Sequence, residues 1–227
     1  MRTKVYVDGY NLYYGCLKGT GYKWLDLHKL FSDHILPSSA PPPAADLIGI
    51  KFFTAPIKDQ ASSADDSVAC QSKYHRALGL LRPNEIEVVQ GYYAMTQTKA
   101  KIVDAENPKK WPRDCQEILV WKLEEKQSDV SLALHAYHDA MTGQVDQVVI
   151  VTNYTDIAPA LQMIRKFTNV RIGLVIPTRD GVRIPNTALD AQAHWVRSHI
   201  TDEELSKSQM PRVVPGARKP AIKPDGW

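Results

Sequence analysis

Two short apolar runs, Val5-Tyr6-Val7 and Val148-Val149-Ile150-Val151, each stop abruptly at Asn and Asp side chains. The first ends in Asp8-Gly9-Tyr10-Asn11 and the second in Thr152-Asn153-Tyr154-Thr155-Asp156. Runs this apolar, without alternation, suit strands buried on both faces, as in a parallel sheet between two helix layers. In open α/β sheets ligands bind at the carboxyl ends of the strands, where strand order reverses. Asp8 and Asp156 are therefore the first two candidates for one shared site.

The rest of the chain alternates in the same way. Strands are expected over 3–7, 47–55, 86–93, 147–152 and 171–176, and helices over 25–36, 68–81, 130–141, 158–167 and 186–199. This order predicts an α/β domain with a mostly parallel sheet covered on both faces. Residues 59–66 read as a polar loop suited to a mobile cleft edge, with Asp65-Asp66-Ser67 opening the helix that follows. On that helix Gln71, Tyr74, His75 and Arg76 read as a solvated face. Ser128 or Asp129 is a good N-cap for helix 130–141, whose apolar residues are expected to pack nearly all round. An acid in the first turn of so apolar a helix points towards the sheet edge, so Asp129 joins the candidates. His135 and Asp139 lie four apart on one helical face, placed to pair with each other or with a ligand. From residue 201 onward the chain turns polar and Pro-rich, and 201–227 is expected to be a disordered basic tail.

Composition narrows the function classes. A length of 227 residues with 44% hydrophobic residues is enough for a full core. A net charge of +3 is too small for a global field to attract nucleic acid, so such affinity needs a local patch. Cys16, Cys70 and Cys115 are widely spaced and form neither a disulfide framework nor a zinc pattern. No leader-like start or membrane-length apolar run occurs, so a cytoplasmic protein without a membrane partner is expected. Lys99, Lys101, Lys109, Lys110 and Arg113, with Trp111, look like an exposed ribbon or loop. Such a mixture suits a phosphate backbone and an unstacked base, and an ordinary solvated loop equally well.

Taken together, three segments resemble a known family. Val7-Asp8-Gly9-Tyr10-Asn11, then Glu124-Glu125-Lys126-Gln127-Ser128-Asp129-Val130 with His135 and Asp139, then Asn153-Tyr154-Thr155-Asp156 look like the motifs of NYN-domain proteins. These belong to the PIN-like nuclease superfamily, and the LabA-like branch is the nearest in pattern. The resemblance covers roughly residues 1–200. It implies a three-layer αβα, Rossmann-like sandwich whose acids hold Mg²⁺ or Mn²⁺ and hydrolyse RNA. By motif position Asp8, Asp129 and Asp156 carry over as metal ligands and catalytic acids, and Asn11 as a supporting group. Asn153, Thr152, His135 and Asp139 are auxiliary, and RNA is the expected partner, with a homodimer left open.

The family's third motif usually carries two acids, and Tyr154 stands where the first would be. A phenol supplies no anion at neutral pH. Weaker metal affinity, loss of a second metal and a weakened or silenced site are therefore expected. The alternative is a non-catalytic nucleic-acid-binding or regulatory protein of the same fold. A nucleotide-binding enzyme or phosphatase ranks last, because no GxGxxG or GxxxxGK[ST] loop is present to cradle a phosphate.

Overall fold

A computed structural model of the chain describes residues 1–58, 67–180 and 182–227. The polar loop expected over 59–66 lies outside the described residues, as do Asp65 and Asp66.

Six parallel strands form the central sheet: β1 (Arg2–Asp8), β2 (Asp46–Thr54), β3 (Ile86–Gln90), β6 (Gln147–Val151), β7 (Arg171–Val175) and β8 (Trp195–Arg197). Their order is β3-β2-β1-β6-β7-β8, and every adjacent pair is parallel. The chain first builds outward from β1 to β3 and then outward on the other side from β6 to β8. The reversal falls between β1 and β6, whose registered residues run from Thr3 opposite Gln147 to Val7 opposite Val151. A ligand crevice belongs at the carboxyl ends of these two strands.

Alternate residues of these strands feed two cores. Val5, Val7, Val149 and Val151 pack on one face with Trp24, Phe31, Tyr74 and Leu78. This layer comes from the helical stretch α2 (Leu27–Lys29) to α3 (Leu36–Ser39) and from α4 (Ser67–Leu81). Tyr6, Val148 and Ile150 pack on the other face with Leu132, Ala136, Leu161 and Ile164. These are residues of α5 (Ser128–Met141) and α6 (Ala158–Phe167). The architecture is the expected three-layer αβα sandwich.

Several boundaries differ from the sequence expectation. The strand expected over 86–93 splits. β3 stays in the sheet, while β4 (Tyr92–Lys101) leaves it to pair antiparallel with β5 (Glu117–Lys126) in a two-stranded ribbon. The helix expected over 186–199 is only α7 (Thr187–Asp190), capped by the Asn186 side chain, and the chain then adds β8 to the sheet edge. The Trp195 ring lies over Gly173, where a Cβ would come within 2.2 Å of it, and its Nε1 donates to Gln147 at 3.0 Å. This packing outweighs helix propensity. Helix α5 is not buried all round, since Val130 and Leu134 are exposed.

The expected disordered tail is also corrected. Thr201 caps α8 (Asp202–Lys207) through a reciprocal capping box with Glu204. Strands β9 (Val213–Val214) and β10 (Ala221–Ile222) then pair as a small hairpin. Leu205, Met210, Val214 and Ala221 are buried, Trp24 Nε1 donates to Pro211 O at 2.9 Å, and Trp227 stacks edge-on against Trp24. Few apolar residues suffice because each lands on the first core. Among the described residues no helix is long and apolar enough to cross a membrane.

Candidate functional site

Asp8 closes β1 and caps the helical turn α1 (Gly9–Leu12) that follows. Its buried carboxylate accepts from Asn11 N at 2.9 Å, Asn11 Nδ2 at 2.6 Å and Thr152 Oγ1 at 2.8 Å. The last bond ties the end of β1 to the residue after β6, across the point where strand order reverses. Burial pushes the Asp8 carboxyl up, and these three donors offset part of that rise. Gly9 is required here, because a Cβ would sit 2.7 Å from both the Phe52 ring and Phe53 O.

Asp129 enters from α5. The turn before it holds Gln127 at a left-handed φ of 80°, and no side chain caps the helix. Asp129 therefore sits inside the first turn and is not the cap. Burial, followed by the charges of Asp8, Glu125 and Asp156, pushes its carboxyl up to about 6. Asp156, in the short helical turn after Tyr154, is exposed. The expected trio thus lies within one electrostatic neighbourhood, with Glu125 as a fourth acid. Glu125 accepts from Ser128 N at 3.3 Å and from the Ser128 hydroxyl. Its position within the quoted motif was the available signal.

The trio does not close into a cage. Among the described residues no three His, Cys, Asp or Glu side chains are placed to hold one metal ion. Asp8 spends both oxygens on Asn11 and Thr152. Clustered carboxylates with raised pKa values suit a cation, but here only as one or two direct ligands completed by water.

The auxiliary residues separate. Thr152 belongs to the site, and also accepts from Tyr154 N at 3.2 Å. Asn153 instead braces the loop before α7, donating to Ile184 O at 3.1 Å and accepting from Asn186 N at 2.9 Å. Tyr154 is 56% exposed at the rim. His135 and Asp139 are not in the site and do not pair with each other. Asp139 accepts from Lys4 Nζ at 2.9 Å and the Tyr6 hydroxyl at 2.8 Å, farther back along β1 than Asp8. His135 Nδ1 lies 2.8 Å from Lys51 Nζ. Burial alone would raise the Asp139 carboxyl, but the hydrogen bonds from Lys4 and Tyr6 and the charges of Lys4 and Lys51 hold it at about 2.

The basic segment falls on the ribbon, and most of its charge is neutralised locally. Lys99 and Lys101 both pair with Glu117, at 3.4 and 3.3 Å, Lys110 with Asp104 at 3.0 Å and Arg113 with Asp114 at 3.8 Å. Lys109 forms no ion pair among the described residues. Trp111 is 69% exposed with the Arg113 guanidinium 6.0 Å from its ring centre.

Beside the acids, between α1, β2, α4 and the ribbon, lies a cavity of about 360 Å³. Tyr10, the second residue after Asp8, lines it, its ring stacked 6.0 Å from Tyr14 and 5.7 Å edge-on from Tyr93. From α4 comes His75, 5.9 Å from the Phe52 ring and lowered to about 4 by burial, so its imidazole is neutral at pH 7. Of the helix residues that the sequence assigned to solvent, Gln71, Tyr74 and His75 form a cavity wall, and Arg76 is exposed as expected. Tyr74 donates to Leu25 O at 3.0 Å, and Gln71 braces Ala55 and Ile57. Sequence reading missed this cavity because its residues come from four separate segments.

No family model matches the chain. The crystal structure of a protein of unknown function from Vibrio parahaemolyticus RIMD 2210633 is similar at a TM-score of 0.49 and 18% identity, covering 89% of this chain and 94% of that one. The 6-hydroxy-3-succinoylpyridine 3-monooxygenase HspA of Pseudomonas putida (strain DSM 28022 / S16) is 57% identical over 236 residues, spanning all of this chain and 75% of the relative. At that identity and coverage, the chain belongs to the family of the monooxygenase HspA.

Proposed function

We propose that the chain is a monooxygenase acting on a small hydroxypyridine with an acid side chain, the class of compound in its relative's name. The observation that carries this reading is the 57% identity across the whole chain. The site supports it. A cavity of about 360 Å³ suits one substituted ring with a short chain, and its tyrosines offer flat apolar faces to that ring. Asp129, grouped with Asp8 at the strand ends beside the cavity, is pushed up to about 6 and changes protonation close to neutral pH, as a group that exchanges protons with a substrate must. Monooxygenation places one atom of dioxygen in the product and reduces the other to water with two electrons. The chain has no GxGxxG loop of the kind that holds a resident dinucleotide on a Rossmann-type sheet, and no resident cofactor is assigned to it. A reduced nicotinamide or flavin is therefore supplied in the assay as a co-substrate. Oxygen uptake that depends on 6-hydroxy-3-succinoylpyridine is the expected result. No uptake by folded protein with either reductant overturns the reading.

A second reading rests on the acids at the switch point. As the NYN resemblance implies, Asp8, Asp129 and Asp156, with Asn11 and Thr152, would serve a metal-dependent ribonuclease. One or two of the carboxylates, with waters, would hold Mg²⁺ or Mn²⁺, which supplies an activated water for phosphodiester hydrolysis. RNA cleavage with Mn²⁺ by the chain or by Tyr154→Asp supports it. No cleavage by either, with folding intact, removes it.

A further inference from the structure

The cavity has a charge asymmetry. Lys18, Lys23 and Lys58 line it together with aromatic and aliphatic side chains, and among the described residues no Asp or Glu does. None of the three lysines forms an ion pair among the described residues. Lys18 Nζ rests 4.7 Å from the Tyr14 ring centre and Lys23 Nζ 5.7 Å from that of Trp227. Such contacts at partly exposed sites are weak. A carboxylate brought to the rim therefore offers these ammonium groups a stronger partner than the one they leave. His75, neutral and half-buried deeper in the cavity, presents one donor and one acceptor.

From these features we infer that the cavity is the seat of an aromatic ring carrying a carboxylate tail, with the tail held by the rim lysines and the ring stacked against Tyr10 and Tyr14. The assignment rests on the monooxygenase reading and deepens it by locating the substrate. His75 is placed to hydrogen-bond a polar ring edge, which favours a hydroxypyridine over an unsubstituted benzene. The same rings and lysines offer a surface to a nucleotide base and its phosphate. The cavity volume favours a single small molecule, because strand binding without sequence preference uses a longer groove that tracks several nucleotides.

The test measures binding by titration calorimetry, using 6-hydroxy-3-succinoylpyridine and its neutral primary amide. Probes are added to the intact chain and to a Lys18→Gln, Lys23→Gln, Lys58→Gln triple variant. The native chain is expected to bind the acid roughly tenfold to a hundredfold more tightly than the amide. The triple variant is expected to lose that preference while binding the amide unchanged, which also reports that the cavity is intact. His75→Phe is expected to weaken acid and amide equally. A preference for the acid that survives the triple substitution overturns the assignment. So does tighter binding of uridine 5′-monophosphate than of the acid, lost in the same variant. Turnover of the acid without lysine-dependent binding sinks this inference and leaves the monooxygenase reading standing. Lysine-dependent binding without turnover does the reverse.

Discussion

Replacing Asp8 by alanine removes the acceptor that joins β1 to the residue after β6. Three donors lose their partner at once: Asn11 N, Asn11 Nδ2 and Thr152 Oγ1. The first is a helix-capping bond, worth about 1 kcal/mol. Each of the others, left buried without an acceptor, costs roughly 1–3 kcal/mol. Against this, the raised carboxyl shows that the ionised group is poorly solvated where it lies, so its removal recovers part of the loss. We therefore expect Asp8→Ala to destabilise the chain by about 2–3 kcal/mol, lowering Tm by roughly 4–12 °C for a domain of this size. Asp8→Asn keeps the capping bond but sets an amide against Asn11 Nδ2, a 2.6 Å contact in the native chain. It should fall between native and alanine. The assay is thermal unfolding by circular dichroism, with urea midpoints as a check. An alanine variant within 0.5 kcal/mol of native, a margin typical of surface changes, would refute the claim that Asp8 clamps the switch point.

Two more outcomes follow from the same geometry. The Asp139 carboxyl, held near 2, contributes stability that is fully present above its unfolded value near 4 and is lost as pH falls towards 2. Urea midpoints should therefore drop over that window, and Asp139→Asn should flatten the drop. An unchanged acid limb in the variant contradicts the assignment. Gly9→Ala should cost more than 1 kcal/mol and impair turnover, since its methyl group meets Phe52 and the backbone of Phe53. A variant with native stability and turnover would show that the turn after Asp8 has room to spare.

The sheet was legible because Val148 to Val151 and Val5 to Val7 lack alternation, which is what burial on both faces writes into a strand. The switch point followed from the polar residues that stop both runs, and Asp8 and Asp156 came with it, while Asp129 was read separately from the first turn of its helix. The ribbon was legible only in part, since Lys99 to Arg113 read as an exposed ribbon or loop while its second strand β5 was not placed. Leu119, Trp121 and Leu123 look like core residues in sequence, yet all three are exposed on the extended pair β4 and β5. The tail hid for the opposite reason, because its isolated Leu205, Val214 and Ala221 show no period and gain their burial only by landing on distant helices. His135 and Asp139 share a helical face, but that face meets Lys4, Tyr6 and Lys51 on the sheet and not the crevice. The cavity depends on Tyr10, Phe52, His75 and Tyr93 meeting from separate elements, which no local spacing records.

The most direct test is isotopic. The chain is incubated with 6-hydroxy-3-succinoylpyridine, a reduced nicotinamide or flavin, and ¹⁸O₂, and the product is weighed by mass spectrometry. One heavy oxygen atom per product molecule is predicted, with the yield depressed in Asp129→Asn. Product whose oxygen comes only from water, or unchanged substrate beside RNA fragments when Mn²⁺ and RNA are added to the same preparation, would contradict the account.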